Sequence, residues 1–156
     1  MASPDLAQRP AGPARGRPDL IRRISLGMMI GLLLEYGLGM AVNLYLSVPR
    51  QDRGAGLVTA AGRALANGPV ALSVHAGLGL LLILGALNLL IRAIVSGQRP
   101  AAWLSGVAFL AIAGAAAAGA SFVGSGRPGA SLAMALLTAV ALLCYAGNLF
   151  LASFRR

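Results

Sequence analysis

The chain has 156 residues, of which 58% are hydrophobic and only 11% charged, far below the roughly 25% charged residues of soluble domains. Its apolar residues gather into long blocks, which excludes an ordinary water-soluble domain and indicates a membrane protein. The net charge of +9 comes from arginine alone, with no lysine; the arginines stand at the ends of apolar blocks, so they read as topology and headgroup signals rather than a nucleic-acid surface.

Residues 1–23 are rich in Pro, Ala, Gly and Arg. They are expected to form a disordered, basic, cytoplasmic tail. The apolar run that follows is too long for the h-region of a cleaved signal peptide. Residues 24–156 are expected to form a single four-span transmembrane domain, an all-α membrane four-helix bundle.

The first helix is expected over about residues 24–48, which hold one charge, Glu35, near the middle. A bilayer-spanning helix needs roughly 20 apolar residues. Gly27, Gly31, Glu35, Gly39 and Asn43 recur every four residues. Such residues share one helix face. Small residues at this spacing let another backbone approach closely. Tyr45 fits the interfacial belt, and Pro49 to Arg53 end the helix.

Residues 54–69 form a connector, within which Leu57 to Asn67 has the pattern of a short amphipathic helix at the membrane surface. Asn67-Gly68-Pro69 ends it. The second span is expected over about 70–91, with His75, Gly77, Gly79 and Asn88 inside it and Arg92 at its exit. The third is expected over about 103–123. Its centre, from Ala111 to Ala120 and including Gly114, is alanine and glycine apart from Ile112. Small residues of this kind suit close packing, so the third span is expected to be the most enclosed. The fourth is expected over about 131–154 and carries Cys144, Tyr145, Gly147 and Asn148.

The tail, the second link and the C-terminus carry nine of the 13 arginines. The positive-inside rule then puts both termini in the cytoplasm. The expected location is a bacterial inner membrane or plasma membrane, crossed several times.

Glu35-Tyr36-Gly37-Leu38-Gly39 can be laid over His75-Ala76-Gly77-Leu78-Gly79. Gly and Leu dominate these helices, and a short biased match does not establish a repeat.

Intramembrane polar groups are the candidates for function. They are Glu35, Asn43, His75, Asn88, Tyr145 and Asn148. A charged carboxylate at mid-membrane costs a few kcal/mol on insertion scales. It is therefore expected to be neutral, or paired with a cation or several donors. Helix lengths pair His75 with Asn43 in one polar layer, and Glu35 with Tyr145 in another. The candidate packing positions are Gly27, Gly31, Gly39, Gly77, Gly79 and Gly114.

His75 is the only histidine, so paired-histidine haem ligation within one chain is impossible. A haem b held by His75 and a methionine, with Met40 nearest in depth, stays an alternative to the expected absence of a cofactor. No metal-ligand cluster is expected, and the single cysteine forms neither an intrachain disulfide nor a CxxC pair. No Walker, dinucleotide-binding or HExxH motif occurs, and Ser73 beside His75 makes no triad. The sequence therefore favours a non-enzymatic protein that packs with lipid and with itself or another membrane protein. A redox or proton-handling subunit using His75 and Glu35 is the first alternative. An oligomeric transporter is the second.

Overall fold

The computed structural model describes residues 17–45, 56–125 and 128–153. The helices in chain order are α1 Arg17–Tyr45, α2 Leu57–Asn67, α3 Val70–Val95, α4 Arg99–Ser125 and α5 Pro128–Ser153. The expected tail as far as residue 16, the stop after Val48, Arg127 and the C-terminal arginines lie outside the described residues. Four of the helices are long and apolar enough to cross a membrane, and α2 is the short amphipathic connector. The protein is an all-α, multi-pass membrane protein.

The long helices outrun their expected apolar spans. α1 begins at Arg17 rather than Ile24, so the last part of the expected tail is helical. α3 continues to Val95 and α4 begins at Arg99. Arginine is a good helix former, and its long stem lets the charge reach water from an extended helix. Pro18, Pro100 and Pro128 all sit in first turns, where a missing N–H breaks no helical bond.

The α3–α4 link is a tight stop. Gln98 N–H donates to the Ala93 carbonyl at 3.3 Å and Gly97 N–H to that of Ile94 at 2.9 Å. Gly97 takes φ +68°. This left-handed turn suits glycine and satisfies two orphan carbonyls.

The long helices form a ring in which α1 touches α3 and α5, and α4 touches α3 and α5. Contacts give the register. Along α1 and α3, Met28 lies against Gly85, Leu82 against Gly31, Glu35 against Gly79 and His75 against Gly39. Numbers rise on one helix as they fall on the other, so the helices are antiparallel. Leu137 against Gly114 and Met134 against Gly119 set α4 and α5 antiparallel in the same way.

The two halves of the bundle differ. In the half away from α2, Met28, Leu32, Leu82, Leu89, Ile112 and Tyr145 belong to one buried cluster. In the half beside α2, the helices line a partly open cavity of about 280 Å³. Ala115, Ala116, Gly119 and Ala120 of α4 line it. The alanine-glycine stretch was expected to give close packing; at these positions its short side chains leave a void. Nor is α4 the most enclosed span: 28% of the α5 window is buried against 22% for α4. Tyr145, Cys144 and Asn148 of α5 point inward, while Ala116 and Ala117 of α4 are exposed.

A candidate intramembrane site

The site begins with the glycine row of α1. Gly31 and Gly39 have no side chain, so α3 comes close on that face. A Cβ built on Gly31 would lie 2.8 Å from Leu82 Cδ2, and one on Gly39 would lie 3.0 Å from His75 Cε1. α3 offers its own glycines in return. A Cβ on Gly79 would lie 3.0 Å from Glu35 Oε1, and one on Gly85 would lie 2.8 Å from Met28 Sδ. Each rung thus sets a large side chain over a glycine, and the glycine alternates between helices.

Two successive rungs bring the ionisable groups together. His75 Nδ1 lies 3.0 Å from Glu35 Oε1, with His75 19% and Glu35 14% exposed at the side chain. The separation is that of an ion pair or strong polar contact. The ring and carboxylate are not aligned for a hydrogen bond, and neither His75 Nδ1 nor Glu35 Oε2 has a hydrogen-bonding partner among the described residues. One carboxylate oxygen is therefore buried with its acceptor capacity unused. A buried acceptor in that state is costly.

This corrects the expected polar layers. Glu35 meets His75, not Tyr145, and His75 sits over Gly39, not beside Asn43. The expected layers rested on a start at Ile24 and an end at Val48 for α1. The observed antiparallel register is displaced from that alignment by about one helical turn.

The remaining candidates divide. Asn43 and Met40 line the cavity, and both are exposed. Asn88 is exposed and accepts a hydrogen bond at 3.0 Å from Arg92 Nε, one turn along the same helix. It is not part of the Glu35 site. Tyr145 and Asn148 belong to a second polar region. Asn148 Nδ2 donates to Ser105 Oγ at 3.2 Å, in a buried link between α5 and α4. Ser105, missed in the sequence, carried no signal beyond being a polar residue in an apolar span. Tyr145 is fully buried, and its hydroxyl lacks a hydrogen-bonding partner among the described residues.

The packing glycines divide as well. A Cβ added at Gly114 would meet Leu137 of α5, and one at Gly77 would lie 3.9 Å from Leu65 Cδ2 of α2. Gly27 is exposed, and a Cβ added there would meet nothing within 4 Å.

The cavity walls come from all five helices. α4 contributes alanines, glycine and apolar side chains, and α5 contributes Ser131, Met134, Ala135 and Thr138. Leu65 is the α2 residue in the lining. Glu35, His75 and the Tyr36 phenol are the titratable groups in this lining. Among the described residues, no group of three or more His, Cys, Asp or Glu side chains is placed to hold a metal. The arrangement suits a small apolar molecule that presents a polar or charged group to Glu35. No protein-family model matches the chain, no curated protein matches its sequence, and no solved structure matches its fold.

Proposed function

We propose that this protein binds a small, largely apolar molecule within the membrane, in the cavity beside Glu35 and His75. The main support is the 3.0 Å Glu35–His75 contact on the wall of a largely apolar cavity of about 280 Å³. A packed structural bundle gains nothing from a void next to a half-buried carboxylate, because both cost stability. Ligand pockets have this composition: apolar walls with few polar groups. The volume lies just under the roughly 300 Å³ where such pockets begin, which favours a small ligand over a haem macrocycle.

With both termini cytoplasmic, as the arginine distribution argues, the cavity lies in the outer half of the bilayer and α2 lies on the outer surface. Self-assembly is a weaker reading than the sequence alone suggests. The row that motivates it, through Gly31 and Gly39, faces α3 of the same chain. Proton handling by Glu35 and His75 is a second reading, favoured by the same contact.

A photoreactive apolar probe tests the proposal. Crosslinks should concentrate on Met40, Ala116 and Met134, and Ala115→Phe, which fills the cavity, should remove them. Equal labelling of lipid-facing Leu33, Leu34 and Leu81 in both proteins would contradict it.

A further inference from the structure

We propose that the ligand is a single-chain amphiphile: one straight hydrocarbon chain with an uncharged, hydrogen-bonding end, lying along the helices across one leaflet. This rests on the cavity being a binding site, and it goes further by naming the ligand's shape and orientation.

The lining gives the shape. On three of the long helices it runs the same distance, over residues 32–43 of α1, 72–83 of α3 and 112–123 of α4. At ~1.5 Å rise per residue, each run is about 16 Å long. That is half of the roughly 30 Å hydrocarbon core of a bilayer. The inner end stands at mid-span: Leu32, Leu82 and Ile112 lie at the middle of the spans Leu20–Tyr45, Val70–Val95 and Arg99–Val123. All three belong to the buried core cluster, so the packed half of the bundle closes the cavity there. Thr138, the α5 residue at this end, donates its hydroxyl to the Met134 carbonyl at 2.9 Å, so that hydroxyl is engaged within its own helix. Toward α2 the cavity opens. Leu32, Tyr36, Met40 and Asn43 share one face of α1; Leu32 is buried and the other three are exposed.

Polarity follows the same axis. Asn43 and Ser131 line the outer part, and His75, over Gly39, comes next inward. These groups can bind a hydroxyl or a similar end. Among the described residues, no arginine lines the cavity, so an anionic end finds no counter-ion there. Glu35 is already met by His75 at 3.0 Å, so a cationic end finds no free carboxylate. The α4 wall suits the chain itself. Ala115, Ala116, Gly119 and Ala120 form a strip with no side chain longer than a methyl group. Methylenes can pack along its whole length, whereas a compact molecule leaves the ends unfilled and forfeits those contacts. The chain points to the middle of the bilayer and the polar end to the surface, as in a lipid monolayer.

The test uses the full chain in nanodiscs, labelled with trifluoromethyl phenyl diazirine, a compact apolar carbene precursor. Unbranched primary alcohols compete for the cavity, dosed as mole fraction in the membrane so that partitioning drops out. Extended dodecanol is close in length to the lining. It should protect Met40, Ala116 and Met134 from label at a mole fraction about tenfold below that needed for octanol or octadecanol. Octanol leaves the inner end empty, and octadecanol overruns the mouth. Cyclododecanol, with the same carbons and hydroxyl closed into a ring, should be as poor as octanol. Dodecane, which lacks the polar end, should also protect less well than dodecanol.

Protection that grows steadily from octanol to octadecanol would overturn the proposal. So would equal protection by cyclododecanol or by dodecane, or no protection by any alcohol. The cavity reading is judged separately, by Ala115→Phe without competitor. Loss of label at the three residues keeps that reading even where the chain assignment fails. Unchanged label there sinks the reading, and this proposal with it. Should Ala115→Phe not fold, the wild-type alcohol series still decides the ligand's shape.

Discussion

Glu35 and His75 face each other across α1 and α3, with Oε1 and Nδ1 3.0 Å apart. Each also lies over the glycine one turn beyond the other: Glu35 over Gly79, and His75 over Gly39. The pair is thus a reciprocal lock, in which the missing side chain on one helix makes room for the polar group of its neighbour.

The lock predicts unequal glycine sensitivity. Gly39→Leu and Gly31→Leu should destabilise the bundle by about 1–3 kcal/mol, the usual range for overpacking. Gly27→Leu should be near neutral, because nothing lies within 4 Å of its added carbon. Thermal melting in one detergent measures all three. Equal loss at Gly27 and Gly39 would mean that α1 presents a different face to α3.

Gly79→Ala separates the site from general packing. Its methyl group would stand 3.0 Å from Glu35 Oε1, so the carboxylate must move. Probe binding should fall more than stability does. A variant that melts lower but binds normally would remove Gly79 from the site.

The Ser105–Asn148 hydrogen bond is buried and joins α4 to α5. Asn148→Ala should cost about 1–3 kcal/mol, because it strands the Ser105 hydroxyl and opens a small void. In a double-mutant cycle, Ser105→Ala should cost less in the Asn148→Ala background than alone. Strict additivity would show that the two side chains do not interact.

Topology is open to direct labelling. Single cysteines at Ser3, Gly56 and Gly126, in a protein lacking Cys144, should react from the cytoplasm at Ser3 and from outside at the other two. Outward labelling at Ser3 would reverse the proposed orientation, and with it the half of the bilayer that holds the cavity. Cys144 itself is buried, so in the native fold it should react slowly with thiol reagents.

Much of the architecture was legible, because membrane-spanning length and hydropathy follow from composition alone. The amphipathic stretch from Leu57 to Asn67 is also a helix in the structure. The ends were less legible, since α1 continues through Arg22 and Arg23 to Arg17. Arginine marks the edge of the apolar core without ending a helix. For the site, the four-residue spacing put Glu35 and Gly39 on one face, as the structure has them. It did not reveal what that face meets. Partnering depends on the register between helices, and a displacement of one turn exchanges His75 for another neighbour. The match between Glu35–Gly39 and His75–Gly79 carried the missing information. Two helices with the same polar-to-glycine spacing, run antiparallel, place each polar residue over the other's glycine. Read as a duplication, the match shows only resemblance; read as a packing code, it pairs Glu35 with His75.

His75 is the only histidine in the chain, which opens its contact with Glu35 to magnetic resonance. Nitrogen-15 labelling of histidine gives one imidazole to observe, without an assignment problem. If the contact is as described, Glu35→Gln changes the Nδ1 resonance strongly in a folded bundle, while Asn43→Ala leaves it nearly unchanged. An Nδ1 resonance indifferent to Glu35→Gln, in a variant that melts like the wild type, would contradict the contact.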